Sequence, residues 1–305
     1  MNPSTTNVTS YQLLDGKKAA NEIKQEVAVE VEKIKQQGGK VPHLSAILVG
    51  NDGASQTYVA GKVKTCEDLG FRSSLFTYDS SVTEKEILAK IEEINNNPEI
   101  DGLIVQLPLP AHIAVEKVTQ AIRPEKDVDG FHPVNIGRMN KNMPSYISAT
   151  PHGILMLLKK YNVPTFGKHC VMVGRSFIVG SPMSILMARD GDPGNCTVTL
   201  CHKYTENLAQ YTRMADILIV AVGKPGLITG DMVKEGVVVV DVGITRVHDN
   251  TKKAGYVIKG DVDFDTVAPK CSYITPVPGG VGAMTIASLM WNTLLSAKGE
   301  IYPKK

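Results

Sequence analysis

The chain has 305 residues, 43% hydrophobic and 21% charged, with a formal net charge of +2. That is the profile of a globular protein with room for two medium domains. It gives no electrostatic case for a nucleic-acid or membrane partner, and no apolar run reaches membrane-spanning length.

The first twelve residues are rich in Ser, Thr and Asn, with neither an apolar signal core nor an arginine, and read as a disordered tail. Apolar residues at Ile23, Val27, Val31 and Ile34 then mark one face of a helix over 17–37, closed by Gly38-Gly39. A short apolar strand over 44–49 follows, then a helix over 54–69 and a strand over 71–78. Thr83 and Glu86 form a capping box opening a third helix. The run Leu103-Ile104-Val105, closed by Gln106 and Leu107, has the continuous apolar pattern of a buried parallel strand. Residues 123–148 read as irregular and turn-rich. Thr150-Pro151 starts a helix, after which a second strand–helix series runs through strands near 169–173, 197–201, 217–222, 237–242 and 272–275 to a last helix over 284–297. Strands alternating with helices predict an α/β protein of two α/β domains. The expected division is 1–149 plus 276–305 for one domain and 150–275 for the other.

The stretch Val171-Met172-Val173-Gly174-Arg175-Ser176 through Gly180 reads as strand, glycine turn and helix start, an arrangement that points backbone N–H groups at a phosphate. Ser176 replaces the second glycine of the dinucleotide fingerprint and the third slips to Gly180, so an ordinary turn remains an alternative. The strand 197–201 is followed by His202-Lys203 with no acid for a ribose hydroxyl. Lys203 with Arg175 suits a 2′-phosphate, which favours NADP over NAD; solvated surface charge is the other reading. In the first half, Tyr58 and Lys62 lie four apart on one helical face beside Val59, Val63 and Cys66. Partial burial of Lys62 is expected to lower its pKa and suit it to proton transfer, with a snorkelling surface lysine as the alternative that a single helical lysine more often represents. Asp127-Val128-Asp129-Gly130 reads as a turn, with an Asp-x-Asp metal pair as the alternative. The five cysteines are odd in number and form no Cys-x-x-Cys, which fits reduced thiols and a cytoplasmic compartment. No zinc motif is present and no metal is expected.

Five motifs occur in order: 55–62 (Ser-Gln-Thr-Tyr-Val-Ala-Gly-Lys), 105–110 (Val-Gln-Leu-Pro-Leu-Pro), 126–130 (Lys-Asp-Val-Asp-Gly), the Gly174 turn and 276–282 (Pro-Val-Pro-Gly-Gly-Val-Gly). With them the chain closely resembles the bifunctional methylenetetrahydrofolate dehydrogenase/methenyltetrahydrofolate cyclohydrolase family, from about residue 14 to 297. The resemblance implies a folate-binding catalytic domain and a Rossmann-like NADP-binding domain with a cleft between them, tetrahydrofolate derivatives as substrates, and a homodimer built on the cofactor domains. It also implies that the last helix returns to the first domain. Lys62 would match the family's catalytic lysine, Tyr58 the tyrosine that stacks on folate, Gln106 the partner of the lysine, and Asp129 the carboxylate that anchors the pterin. Val105, Leu107, Pro278, Gly279, Gly280, Val281 and Gly282 would line the substrate. Gly174, Arg175, Ser176, Lys203 and Ile244 would hold NADP. Three departures stand out: Ala283 where relatives usually have proline, Gly61 inside the catalytic helix, and Lys203 where relatives often have serine.

Overall fold

The computed structural model describes residues 11–252 and 255–303. The elements begin with strand β1 (Gln12–Leu13), helix α1 (Gly16–Gln36), β2 (His43–Val49), α2 (Gly53–Asp68), β3 (Arg72–Tyr78), α3 (Glu84–Asn96) and β4 (Gly102–Val105). Then come α4 (Val115–Ala121), α5 (Pro133–Asn140), α6 (Ala149–Lys160), β5 (His169–Val173), α7 (Gly180–Ala188), β6 (Thr197–Cys201) and α8 (Leu208–Thr212). The chain closes with β7 (Ile217–Val220), β8 (Val237–Asp241), β9 (Thr245–His248), β10 (Tyr256–Lys259), α9 (Phe264–Val267), β11 (Cys271–Ile274) and α10 (Val281–Lys298). By internal packing the described residues form two compact units: 20–152 with 285–303, and 11–19 with 153–284.

The unit starting at Ala20 is built on a three-stranded parallel sheet in the order β3-β2-β4. β2 is paired on both edges and buried at every position, which is why its sequence is almost wholly apolar. Side chains alternate across the sheet. Leu44, Ala46, Leu48 and Ile104 face one core, with Val27 and Val31 of α1, Val59 and Cys66 of α2, and Leu289, Met290 and Leu294 of α10. Ile47, Val49, Leu103 and Val105 face the other, with Ile87, Ile91 and Ile94 of α3 and Val118 of α4. The capping box at Thr83 forms as expected, each partner bonding the other's backbone N–H. The last helix packs into this unit, where Asn292 Nδ2 donates to the carbonyls of Val128 and Ile147, both at 2.9 Å.

The other unit carries a six-stranded, all-parallel sheet in the order β1-β11-β8-β7-β5-β6. β7 and β8 are buried throughout. The strand order reverses beside β5, the point where ligands bind in open α/β sheets. Several elements were not legible in the sequence. Gln12, the last residue of the expected tail, and Leu13, the first beyond it, pair with Tyr273 and Ile274; residues 1–10 lie outside the described residues. Helix α5 sits inside the stretch read as irregular, with Pro133 at its start and His132 Nδ1 accepting from the Val134 N–H at 3.0 Å. β9 and β10 form an antiparallel pair outside the main sheet.

Candidate active site

In the unit starting at Ala20, β4 ends at Val105 and the Gln106 N–H continues the ladder to Ile47 O at 2.9 Å. This puts the Gln106 amide at the carboxyl end of the sheet, where the strand order reverses about β2. Its Nε2 donates to Leu107 O at 2.7 Å, which leaves Oε1 to accept from Lys62 Nζ at 3.1 Å. Lys62 comes from α2, whose start is fixed by Asp52 accepting from the Ser55 N–H and hydroxyl, both at 2.8 Å. Lys62 is only 8% exposed, so the burial expected from the helical pattern is observed. Tyr58 lies one turn earlier on the same helix and is half-buried.

Gly61 sits between them, and a Cβ there would meet Ile286 Cδ1 at 3.7 Å, an ordinary contact. Its backbone is not in the left-handed region, so the glycine costs helix stability without steric need. Gly61→Ala is expected to stabilise the protein by about 0.5–1 kcal/mol in urea unfolding; a destabilised variant would show that the helix needs the gap.

The 127–130 segment is a turn. Asp127 is buried and accepts from the N–H groups of Phe131 (3.1 Å) and His132 (2.8 Å) and from Asn135 Nδ2 (2.8 Å). Burial pushes its carboxyl up to about 7, against these hydrogen bonds. Gly130 has φ +71°, and a Cβ there would lie 2.6 Å from Ser148 N, so only glycine closes the turn. Asp127 therefore serves the backbone. Asp129 stands in the field of Lys62: burial raises its carboxyl above the usual range and the Lys62 charge opposes the rise. Among the described residues no group of His, Cys, Asp and Glu could hold a metal ion.

The second unit holds the remaining candidates. Gly174 follows β5 with φ +119°, and a Cβ on it would fall 2.2 Å from Ala221 O. A Cβ on Gly180 would lie 2.0 Å from Gly174 O, so both glycines are demanded by close backbone packing at the turn. Ser176 Oγ accepts from the N–H of Val179 at 3.2 Å and shapes the approach to α7. A cavity of about 590 Å³ opens here, walled by Gly174, Arg175, Ser176, His202, Lys203 and Val222. Arg175, Lys203 and Lys224 line it with the hydroxyls of Ser176 and Thr205, and no acid stands at the end of β6. Ile244 follows β8 and Gly243 and is exposed. In the 276–282 loop Gly279 O accepts from the Lys17 N–H at 3.0 Å, and a Cβ on Gly16 would strike Gly280 O. Residues 278–282 thus pack with the unit that carries the 590 Å³ cavity, whereas Tyr58, Lys62, Val105, Gln106, Leu107 and Asp129 belong to the other unit.

Two carboxylates absent from the expected site organise this second unit. Asp261 accepts from three successive backbone N–H groups, Val222 (2.6 Å), Gly223 (3.0 Å) and Lys224 (2.7 Å). Asp241 accepts from Gly243 (2.9 Å), Asp261 (3.0 Å) and Val262 (3.0 Å). Burial raises Asp241 to about 6, and the nearby Asp261 charge adds to the rise. The available signal was an acid closing the all-valine strand 237–240.

Two family models match: the tetrahydrofolate dehydrogenase/cyclohydrolase catalytic domain over residues 14–129 and the corresponding NAD(P)-binding domain over 148–301. The chain is 58% identical over 291 residues to the bifunctional protein FolD of Porphyromonas gingivalis, covering 95% of this chain and 98% of that one. It is 61% identical over 286 residues to FolD of Cytophaga hutchinsonii, covering 94% and 99%. Among solved structures, FolD methylenetetrahydrofolate dehydrogenase/cyclohydrolase from Campylobacter jejuni aligns with a TM-score of 0.89 at 45% identity, covering 95% and 99%. Trypanosoma brucei FolD, complexed with NADP cofactor and inhibitor, aligns with a TM-score of 0.90 at 36% identity, covering 95% and 98%.

Proposed function

We propose the roles of individual residues from one premise: the chain belongs to the tetrahydrofolate dehydrogenase/cyclohydrolase family. The enzyme oxidises 5,10-methylenetetrahydrofolate to 5,10-methenyltetrahydrofolate with NADP, then hydrolyses the product to 10-formyltetrahydrofolate. The observation that carries the residue assignment is the Lys62–Gln106 pair at 3.1 Å, at the sheet's carboxyl end and in the field of Asp129.

The two steps ask different things of the chain. Oxidation removes a hydride from the carbon bridging two nitrogens, and amidinium resonance stabilises the cation that remains. The protein's part there is positioning. When bound, NADP supplies the hydride acceptor. Its residues would be Gly174, Arg175, Ser176, Lys203 and Ile244. The fit rests on the 590 Å³ cavity, the two glycines that admit close backbone approach, and the Arg175 and Lys203 cations on its wall, whose charge suits a 2′-phosphate. Hydrolysis adds water to the cation and opens the ring, which requires proton transfers. Lys62 Nζ moves that proton, and Gln106 Oε1 fixes where Nζ points. Tyr58 stacks on the folate, Asp129 anchors the pterin, and Val105, Leu107 and residues 278–282 line the substrate. In this assignment residues 1–149 with 276–305 serve folate and 150–275 serve the cofactor.

A homodimer through the cofactor-binding half follows the family pattern, and sedimentation at assay concentration tests it. A cytoplasmic location fits the five free, buried cysteines; among the described residues no helix is long and apolar enough to cross a membrane.

The function is tested by following reduced cofactor and the methenyl species together, with NADP and with NAD. Reduction with NADP and no methenyl build-up is expected. Methenyl accumulation would overturn the role given to Lys62, and no reduction by a protein that binds NADP would overturn the reading as a whole. Asp129→Ala is expected to raise the folate KM at least tenfold and leave the NADP KM within twofold; an unchanged folate KM would remove Asp129 from the pterin site.

A further inference from the structure

The 2′-phosphate reading above assigns Arg175 and Lys203 to one anion, yet both are long, exposed side chains on separate turns. Such cations hold a shared phosphate well only when something fixes them beforehand. One residue outside the cavity wall does this. Tyr204 follows Lys203, is 68% exposed, and does not line the 590 Å³ cavity. The Arg175 guanidinium carbon lies 5.7 Å from its ring centroid and Lys203 Nζ lies 4.8 Å from it. Both are within the range in which an aromatic ring attracts a cation.

The ring is itself held. The His202 ring meets it edge-on at 6.1 Å and 76°. The Tyr204 N–H donates to His202 Nδ1 at 3.2 Å, and the His202 N–H donates to Thr205 Oγ1 at 2.9 Å. The hydrogen-bonded turn after β6 therefore presents an aromatic surface against which cations from two different turns rest.

We propose that Tyr204 is a positioning residue for cofactor choice: its ring holds Arg175 and Lys203 in place for the 2′-phosphate of NADP, and so sets the preference for NADP over NAD. The inference rests on the assignment of that phosphate to Arg175 and Lys203. The ring lies beside the two cations and outside the cavity wall, so its effect is expected on the phosphate that they bind. The part of the cofactor shared by NAD and NADP does not require it.

The test is the dissociation constant for NADP, NAD and 2′,5′-ADP, measured by titration calorimetry on the full-length protein and on Tyr204→Leu, Tyr204→Phe and Arg175→Ala. Tyr204→Leu is expected to weaken NADP and 2′,5′-ADP five- to tenfold and leave NAD within twofold. Tyr204→Phe, which keeps the ring, is expected to match the unaltered protein. Equal weakening of NADP and NAD by the leucine variant, no weakening of either, or a phenylalanine variant that behaves like leucine would each overturn the proposal. Arg175→Ala separates it from its premise. If that variant lowers the preference for NADP over NAD while Tyr204→Leu does not, the role of Tyr204 alone fails. If Arg175→Ala leaves the preference unchanged, the phosphate assignment fails with it.

Discussion

Replacing Lys62 by methionine is expected to lower cyclohydrolase turnover by about 10²- to 10⁴-fold, the usual worth of a positioned proton-transfer group, while dehydrogenase turnover stays within about tenfold. Methionine matches the unbranched stem of lysine, so a site that leaves Lys62 only 8% exposed keeps its packing. What disappears is Nζ. Gln106 keeps its bond to Leu107 O and loses only its donor. Hydride removal needs no proton at that position, whereas ring opening does. The variant should therefore turn methylenetetrahydrofolate into accumulated methenyltetrahydrofolate, which its own absorbance reports. A second consequence concerns Asp129. The Lys62 charge pulls the Asp129 carboxyl down, so its removal lets burial push the carboxyl higher still. Binding that requires the ionised carboxylate is then lost at a higher pH on acidification than in the unaltered enzyme. A folate KM against pH profile displaced to higher pH in the methionine variant is the expected signature. Equal, complete loss of both activities in a folded variant would refute the division of labour.

Much of this site was legible because its signals are local. Buried parallel strands advertise themselves as continuous apolar runs, and β2, β4, β7 and β8 are buried at every position as that pattern requires. Tyr58 and Lys62 share a helical face by spacing alone. Gln106 is marked by its position, an amide closing the apolar run Leu103-Ile104-Val105. Features that depend on distant partners were not readable. β1 is two residues long and exists through pairing with Tyr273 and Ile274, more than 250 positions away. β9 and β10 show partial burial and lie outside the main sheet, so they lack the apolar run that marked the others. Helix α5 begins at a histidine cap and a proline in a stretch whose prolines and glycines suggested only turns. The division of the Asp127-Val128-Asp129 pair was likewise hidden. Nothing in the spacing says that the first carboxylate binds backbone amides while the second feels Lys62.

Asp261 is the clearest case of a residue whose importance lies entirely in long-range contacts, and Asp261→Ala is expected to cost about 3 kcal/mol of stability. Its carboxylate accepts three backbone N–H bonds, and charge-assisted bonds of this kind are each worth roughly 1.5–3 kcal/mol. The lower figure per bond is reduced further because the 222–224 loop is partly exposed and water can reach its freed N–H groups. Relief of Asp241 offsets another part, since the Asp261 charge helps hold the Asp241 carboxyl up near 6. The two acids interlock through glycines. A Cβ on Gly243 would lie 2.4 Å from the Asp261 carboxyl carbon, and one on Gly260 would lie 1.9 Å from Asp241 Oδ2. Each carboxylate thus occupies space that a side chain beside the other would need. The loop fixed by Asp261 supplies Val222 and Lys224 to the wall of the 590 Å³ cavity proposed for NADP. Loss of the carboxylate should therefore raise the NADP KM several-fold while the folate KM moves little. Asp261→Asn is expected to fall between alanine and the unaltered protein, because its oxygen still accepts while its NH₂ faces a backbone N–H. Urea unfolding of the three proteins, with KM measured for each substrate, reads both effects. An alanine variant of unchanged stability would mean that water replaces the carboxylate at no cost. A parallel rise in both KM values would mean that the loop acts on the whole enzyme and not on its cofactor cavity.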